Sequence, residues 1–130
     1  MQRRITVTGP VAVDEAWERY ADLRLWSRWA PQIVGVEAGS HRLQAGLTGL
    51  VRGPAGIAVR FRVEEVEPAA RTWRWTAGLL GVRVRMRHDL TADGSGTTAG
   101  LDLDGPAVVA LAYPPVAALA LRRLVARDLS

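Results

Sequence analysis

The chain has 130 residues, of which 48% are hydrophobic and 23% charged, and this composition is typical of a single soluble domain spanning residues 1–130. It contains no cysteine, which excludes disulfides and thiolate metal sites, and its two histidines, His41 and His88, lack companions at ligand spacing, so we expect no metal or other cofactor. The net charge of +4 rests on arginine alone and is spread along the chain, so nucleic acid is not an expected partner.

The N-terminal residues include two arginines but lack the apolar segment of a signal peptide. The longest uncharged run extends from Gly105 to Leu121 and contains Pro114-Pro115 near its middle. That run is shorter than the ~20 residues that a membrane-spanning helix needs. We therefore expect a cytoplasmic protein with no transmembrane segment.

The predicted elements begin with a strand over 5–8, which Gly9-Pro10 ends. A helix follows over 13–21, with Asp14 and Glu15 in its first turn, where negative charge suits the helix dipole. A second short helix covers 23–29 and ends before Pro31. Six strands are then predicted over 33–37, 47–52, 57–64, 72–76, 82–90 and 97–103. The last element is a helix over 107–127, which Pro114-Pro115 should kink or break.

The second short helix carries Trp26 and Trp29, three residues apart. Each tryptophan ring buries about 150–250 Å² when it packs, so a short helix carries two of them only where they dock. They either plug the core at one end of the fold or line the wall of a cavity. Packing is the default for apolar rings.

Alternation within the strands gives the predicted antiparallel sheet one apolar and one polar face. The apolar face carries Val59, Phe61, Val63, Trp73, Trp75, Val84, Met86, His88, Leu90, Leu101 and Leu103. The polar face carries a basic stripe formed by Arg60, Arg62, Arg74, Arg83, Arg85 and Arg87, together with Glu64. Only the final helix is long and apolar enough to cover the apolar face, so the fold class is α+β.

The order of these elements and a series of short motifs resemble the Bet v 1-like superfamily. Within it, the chain is similar to the bacterial polyketide cyclase/dehydrase and lipid-transport group, also called START-like or SRPBCC. The motifs are Val13-Asp14-Glu15-Ala16-Trp17, Asp22, Trp26-Ser27, Trp29-Ala30-Pro31-Gln32-Ile33, Val36-Glu37, Gly46, Gly49, Phe61-Arg62-Val63, Val66-Glu67-Pro68, Trp73-Arg74-Trp75, His88-Asp89-Leu90, Gly96-Thr97-Thr98 and Gly105-Pro106.

The resemblance implies a helix-grip fold, in which a curved seven-stranded antiparallel sheet wraps a long C-terminal helix. Two short helices after the first strand close one end, and a hydrophobic cavity lies between sheet and helix. Members of the group bind or transform lipids, polyketides, sterols or quinones. Here the long helix should be kinked near Pro114-Pro115.

Three functional hypotheses follow. The first is a non-enzymatic carrier of a small hydrophobic ligand such as a lipid, polyketide or quinone. Its expected lining residues are Trp29, Phe61, Trp73, Trp75, Met86, His88 and Tyr113. The second is a polyketide cyclase or dehydratase, for which His88 and Tyr113 are the only candidates for proton transfer. Asp89 is adjacent to His88 and should point to the opposite face, so it does not complete a dyad.

The third hypothesis is a protein-interaction module. Its basic stripe, on the convex face of the sheet, would meet an acidic partner. Because a charged sheet face is most often simply solvated, that interpretation competes with an ordinary surface role. The sequence leaves a homodimer open.

Overall fold

Seven strands form one antiparallel sheet in the computed structural model, which describes residues 1–129. The strands are β1 (Gln2–Gly9), β2 (Gly35–Ala38), β3 (Thr48–Arg52), β4 (Ala58–Glu67), β5 (Thr72–Leu79), β6 (Val82–Asp93) and β7 (Gly96–Asp104). The helices are α1 (Val13–Ala21), α2 (Trp26–Trp29), α3 (Ala107–Ala112) and α4 (Pro114–Leu124). Short 3-10 turns occupy Leu23–Leu25 and Pro54–Gly56.

The spatial order of the sheet is β1-β7-β6-β5-β4-β3-β2, so only the contact between β1 and β7 joins strands that are distant in sequence. The remaining neighbours follow one another along the chain as a meander, because short turns connect successive antiparallel strands. α3 and α4 supply the apolar cover of the inner face. This arrangement confirms the expected α+β helix-grip fold, with α1 and α2 directly after the first strand.

Strand β6 shows how the sequence sets the two faces. Val84, Met86, His88 and Leu90 point inward and are half-buried or buried, whereas the arginines between them point outward. β4 departs from the predicted bounds because it continues to Glu67 through a bulge between Val63 and Glu65. The bulge inserts one extra outward residue, and the alternation then resumes.

The second predicted helix is divided in the structure. Residues Leu23–Leu25 form a 3-10 turn that continues directly into α2. Asp22 precedes that turn, and its Oδ1 accepts a hydrogen bond from the Arg24 backbone N at 3.0 Å. The cap fixes where the segment turns, and the four residues of α2 then carry both tryptophans inward.

The C-terminal helix is interrupted where the two prolines predict it. Pro114 and Pro115 have no N–H to donate to the preceding turn, so α3 ends at Ala112 and α4 begins at Pro114. Tyr113 lies at the junction with φ −79° and ψ −31°, and its carbonyl accepts from the Ala117 N at 3.0 Å. The kink therefore changes the direction of the helix without breaking the chain's helical conformation.

Arg19 of α1 fixes the C-terminal end of α4. It is a buried arginine that no local sequence pattern identifies. Its Nη1 donates to the carbonyl oxygens of Leu124 and Ala126 at 2.7 and 2.6 Å, with longer bonds to Arg123 and Arg127. Burial lowers the pKa of Arg19, an effect that nearby acidic groups oppose. The guanidinium satisfies helix-terminal carbonyls that otherwise lack partners.

Candidate functional site

An apolar cavity of about 250 Å³ lies between the inner face of the sheet and the helices α3 and α4. Aromatic rings form much of its wall on the sheet side and at α2. Small and aliphatic side chains, chiefly Ala117, Ala120 and Leu121 of α4, form the opposite wall. The space exists because α4 presents alanines where it faces the tryptophans of the sheet.

Six of the seven residues expected to bind a ligand border this cavity: Trp29, Trp73, Trp75, Met86, His88 and Tyr113. The structure places the seventh, Phe61, elsewhere. Its ring is buried and packs 5.9 Å from the rings of Trp26 and Trp75, measured between centroids, and it does not line the cavity. Trp26 lines the cavity instead.

The tryptophan pair of α2 both packs in the core and lines the cavity, which are the two alternatives that the sequence leaves open. Trp26 and Trp29 are 1% and 5% exposed, so they are packed, and both also border the cavity. Their indole Nε1 atoms donate to the carbonyl oxygens of Tyr20 and Arg19 at 2.9 and 3.0 Å. Because both rings are held by these bonds, they form a rigid wall.

His88 is the one imidazole at the cavity, and its ring stacks on Trp73 at 4.5 Å with an interplanar angle of 10°. Its Nε2 lies 3.1 Å from the Nε1 of Trp75, and its Nδ1 lies 3.1 Å from the hydroxyl of Tyr20. An indole N–H can only donate, so Nε2 must accept, and the proton of the neutral ring is therefore on Nδ1. Burial lowers the pKa of His88 to about 3.

These contacts leave His88 no free nitrogen with which to move a proton on a ligand. Asp89 lies on the outer face, as the alternation predicts, and it accepts hydrogen bonds from Arg4 and Arg87 there. His88 thus serves to hold Trp73, Trp75 and Tyr20 in place. Tyr20 is fully buried, and the sequence does not reveal its role because it lies on α1, 68 residues before His88.

A polar pair at the cavity wall joins α4 to the segment after α2. Gln32 Nε2 donates to the Tyr113 hydroxyl oxygen at 2.8 Å, which leaves the hydroxyl proton available to another acceptor. Burial raises the pKa of Tyr113, so the hydroxyl stays protonated at neutral pH. The sequence signal for Gln32 is its position as the one polar side chain between Pro31 and the apolar Ile33-Val34.

Within residues 1–129, only two buried side-chain polar atoms have no hydrogen-bond partner, Gln32 Oε1 and Trp73 Nε1. Both belong to residues that border the cavity. A buried polar atom without a partner costs about 1–3 kcal/mol. The cavity region therefore holds an acceptor and a donor that the protein itself does not satisfy.

The volume limits the size of any occupant. Ligand pockets in general measure about 300–1,000 Å³, so this cavity lies just below the lower end of that range. One or two fused rings with a substituent match this volume, whereas a sterol or a two-chain lipid is larger than it.

The cavity opens at the end of the sheet where β3 meets β4. Pro54 and Ile57 of that connection border the cavity and are exposed, whereas Trp73 and His88 at its inner end are 2% and 5% exposed. A ligand would therefore enter between the β3–β4 connection and α3.

The basic stripe lies on the outer face, but that face is not simply convex. It holds an open groove of about 1,330 Å³ that crosses five strands. Arg74 and Arg87 have acidic neighbours there, with Arg74 Nε 3.9 Å from Glu65 and Arg87 Nη1 3.2 Å from Asp89. No ion pair involves Arg60, Arg83 or Arg85 in the described part of the chain. The charge is thus concentrated toward one end of the groove.

Residues 1–129 contain no group of three or more histidine, aspartate or glutamate side chains placed to hold a metal ion. None of their helices has the length and hydropathy that crossing a bilayer requires.

A protein-family model described as "Polyketide cyclase / dehydrase and lipid transport" matches residues 2–130. No curated protein matches the chain in a sequence search. Among solved structures, protein MLL2253 from Mesorhizobium loti is 14% identical, with a TM-score of 0.82, and the match covers 95% of this chain and 93% of that one.

Two further structures share the fold. Ara h 8.0201 is 15% identical with a TM-score of 0.68, covering 92% of this chain and 95% of its own. DynU16, from the dynemicin biosynthetic locus, is 24% identical with a TM-score of 0.70, covering 92% of this chain and 46% of its own. At such identities the structural likeness establishes the fold alone.

Proposed function

We propose a ligand-binding function for this chain, which belongs to the polyketide cyclase/dehydrase and lipid transport family within the Bet v 1-like superfamily. The ligand is one small, flat, mainly aromatic molecule that carries a hydroxyl or carbonyl group. The observation that supports this proposal is the cavity of about 250 Å³ between the sheet and α3–α4. The protein acts as a carrier that shields this molecule from water.

The aromatic wall supports a flat ligand. Trp26, Trp29, Trp73 and Trp75 all border the cavity, and neighbouring rings lie 5.4–6.5 Å apart in tilted or edge-on arrangements. Aromatic pairs in such geometries gain about 0.5–1.5 kcal/mol beyond the burial of their area. A planar ring inserted among them gains similar contacts, which a flexible acyl chain does not.

The polar pair supports a substituent that both donates and accepts. The Tyr113 hydroxyl can donate to a ligand oxygen, and the unpartnered Gln32 Oε1 can accept from a ligand hydroxyl. A naphthol combines the two requirements with the size limit of the cavity. We use 1-naphthol as the probe for these reasons, without assigning it as the natural ligand.

The test is a titration of 1-naphthol, followed by quenching of tryptophan fluorescence and by ligand-observed NMR. Ala117→Leu fills the cavity from α4 and should abolish binding, whereas Ala112→Leu places the same side chain on the exposed face of α3 and should leave Kd unchanged. If the wild type does not bind, or if Ala117→Leu binds as the wild type does, the cavity is not a ligand site.

The role of the polar pair is tested with a second probe, 1-methylnaphthalene, which has the same shape but no hydroxyl. A net hydrogen bond contributes about 0.5–1.5 kcal/mol, so 1-naphthol should bind about two- to tenfold more tightly. Gln32→Met keeps the side-chain length and should reduce that preference, because only the hydrogen bond from the Tyr113 hydroxyl remains. An equal preference in the wild type and in Gln32→Met would show that Gln32 does not contact the ligand.

A polyketide cyclase is the second candidate, because Tyr113 and Gln32 together offer a donor and an acceptor beside the same apolar space. In this candidate Tyr113 would polarise a ligand carbonyl, and His88 would take no part in proton transfer because both of its nitrogens bond to protein groups. A synthetic poly-β-ketone mimic tests it. Turnover should vanish in Tyr113→Phe and persist in His88→Gln, and turnover that survives Tyr113→Phe would dismiss the candidate.

A further inference from the structure

Large apolar side chains that face solvent concentrate at one end of the molecule, which we call the apolar end. It consists of Ile57, Leu79, Leu80, Val82, Val108 and Leu111, each of them 38–94% exposed. These residues come from three separate segments: the β3–β4 connection, the β5–β6 hairpin and α3. Exposed apolar residues that cluster, rather than scatter singly, mark an interaction site.

The topology brings the three segments together. β4 and β6 begin at this end of the sheet, β5 and β7 finish there, and α3 starts directly after β7. The same end holds the cavity opening beside Pro54 and Ile57. Ile57 borders the cavity itself, whereas Leu79, Leu80 and Val82 border the outer groove at the same end of the sheet. The apolar end therefore forms a rim beside the cavity opening.

Leu80 gives the clearest sign that the apolar end serves a purpose other than folding. It is 94% exposed, and with Gly81 it forms the two-residue turn of the β5–β6 hairpin, with φ of 52° and 78°. Such turns strongly prefer asparagine followed by glycine, because the first position also needs a left-handed backbone. A leucine there is unfavourable both for the backbone and for solvation, and neither effect is offset by packing.

Arginines without an ion pair stand directly behind the rim. Arg60 and Arg83 flank Gly78 in one row across β4, β5 and β6, and Arg85 lies two residues further along β6. At about 3.3 Å per residue, Arg83 and Arg85 lie ~3–10 Å behind Val82. Amphipathic segments bury their apolar face about 5–10 Å into a bilayer interface, which puts these guanidinium groups at the level of the lipid phosphates.

We propose that the apolar end docks into an anionic lipid surface, with the cavity opening turned toward the lipid. Two observations favour a membrane over a protein partner. The apolar side chains project from the tips of three segments instead of forming the flat, complementary face of a protein interface. The charges behind them are arginines that form no ion pair within residues 1–129, and only Arg85 has an acidic cross-strand neighbour, Asp104. Guanidinium groups that are not neutralised within the protein suit a layer of phosphates. Docking itself does not depend on the proposed function. Exchange of a ligand between the docked protein and the membrane does rest on the proposed function.

The experiment is co-sedimentation of the protein with vesicles of phosphatidylcholine alone or mixed with phosphatidylglycerol, in the absence of ligand. Binding should require phosphatidylglycerol and should weaken as NaCl rises. Leu80→Asn should weaken it about tenfold through lost apolar burial, and Arg83→Gln about fivefold through one lost charge near the surface. Leu119→Asn, an exposed leucine on α4 away from the rim, is the matched control and should bind as the wild type does.

Leu80→Asn also separates docking from folding, because asparagine suits the turn and should hold or raise the thermal midpoint. No binding to either vesicle, equal binding to both, or wild-type binding by Leu80→Asn would each overturn the proposal. So would self-association of the wild type that Leu80→Asn abolishes, since the rim would then cover a second copy. Titration of 1-naphthol into Leu80→Asn without vesicles should give the wild-type Kd, so that loss of docking and loss of ligand binding are read independently.

Discussion

Acidification should destabilise this protein through His88 at pH values well above those that protonate its carboxylates. His88 is 5% exposed, its ring is neutral, and burial lowers its pKa from 6.5 to about 3. In the unfolded chain the imidazole is hydrated and regains its ordinary pKa. Between these two values the unfolded state binds more protons than the folded state, so the free energy of unfolding falls as pH falls.

The magnitude follows from the pKa difference. The stabilising contribution is complete above the unfolded pKa of 6.5 and is lost progressively as pH falls toward about 3. Each pH unit within this window removes about 1.4 kcal/mol, so acidification from about pH 8 to about pH 5 should remove about 2 kcal/mol. That loss is a substantial fraction of the ~5–15 kcal/mol by which domains are stable.

The assay is urea unfolding of three proteins at both pH values. His88→Gln replaces the imidazole by an amide that can also accept from the Trp75 Nε1 and donate to the Tyr20 hydroxyl, but cannot titrate. It should lose about 2 kcal/mol less than the wild type on acidification. His41→Gln removes an exposed histidine and should behave as the wild type. Equal losses in the wild type and in His88→Gln would refute the assignment of His88 as a buried neutral group.

Three further substitutions test contacts that hold the elements of the fold together, each followed by urea and thermal unfolding. Arg19→Met removes the donor to the carbonyl oxygens of Leu124, the last residue of α4, and of Ala126, and should cost about 2–4 kcal/mol, or about 7–15 °C in Tm; a loss below about 1 kcal/mol would mean that water replaces the guanidinium. Gly49→Ala would place a Cβ 2.2 Å from the Glu37 carbonyl oxygen, so β2 and β3 must separate at a cost of about 1–3 kcal/mol, and wild-type stability would contradict this. Thr97→Val removes the 2.6 Å hydrogen bond to the Val11 carbonyl in a fully buried site and should cost about 1–3 kcal/mol, so an unchanged midpoint would show that this carbonyl finds another partner.

The element order could be predicted from the sequence because its signals are local. α1 has the bounds expected from its apolar spacing and acidic first turn, and β6 alternates so regularly that its faces could be assigned residue by residue. The kink at Pro114-Pro115 follows from the missing N–H groups alone. Each of these features depends on residues close together in the chain, and a sequence displays such residues directly.

The details of the site depend on distances that no local pattern contains. Phe61 has the inward parity of a cavity residue, yet its ring packs against the rings of Trp26 and Trp75 and does not border the cavity between the sheet and α3–α4. The assignment of His88 as a proton-transfer candidate changes for a similar reason, because Tyr20 is 68 residues away in sequence and takes its second nitrogen. The alternation along a strand predicts which face of the sheet a side chain lies on, but it does not predict which other side chains pack against it there.

The cavity itself is the strongest argument that the interior serves a ligand. If dry and fully enclosed, a void of 250 Å³ would cost up to about 6 kcal/mol at ~24 cal/mol per Å³. The chain could remove most of that cost with larger side chains at Ala77, Ala117 or Ala120, all of which border the cavity and are at most 9% exposed. Instead it places alanines beside a wall of four tryptophans, two of which, Trp26 and Trp29, are fixed by hydrogen bonds to the carbonyls of Tyr20 and Arg19. A core selected only for stability would fill this space, so a rigid aromatic wall facing small residues favours an occupant supplied from outside.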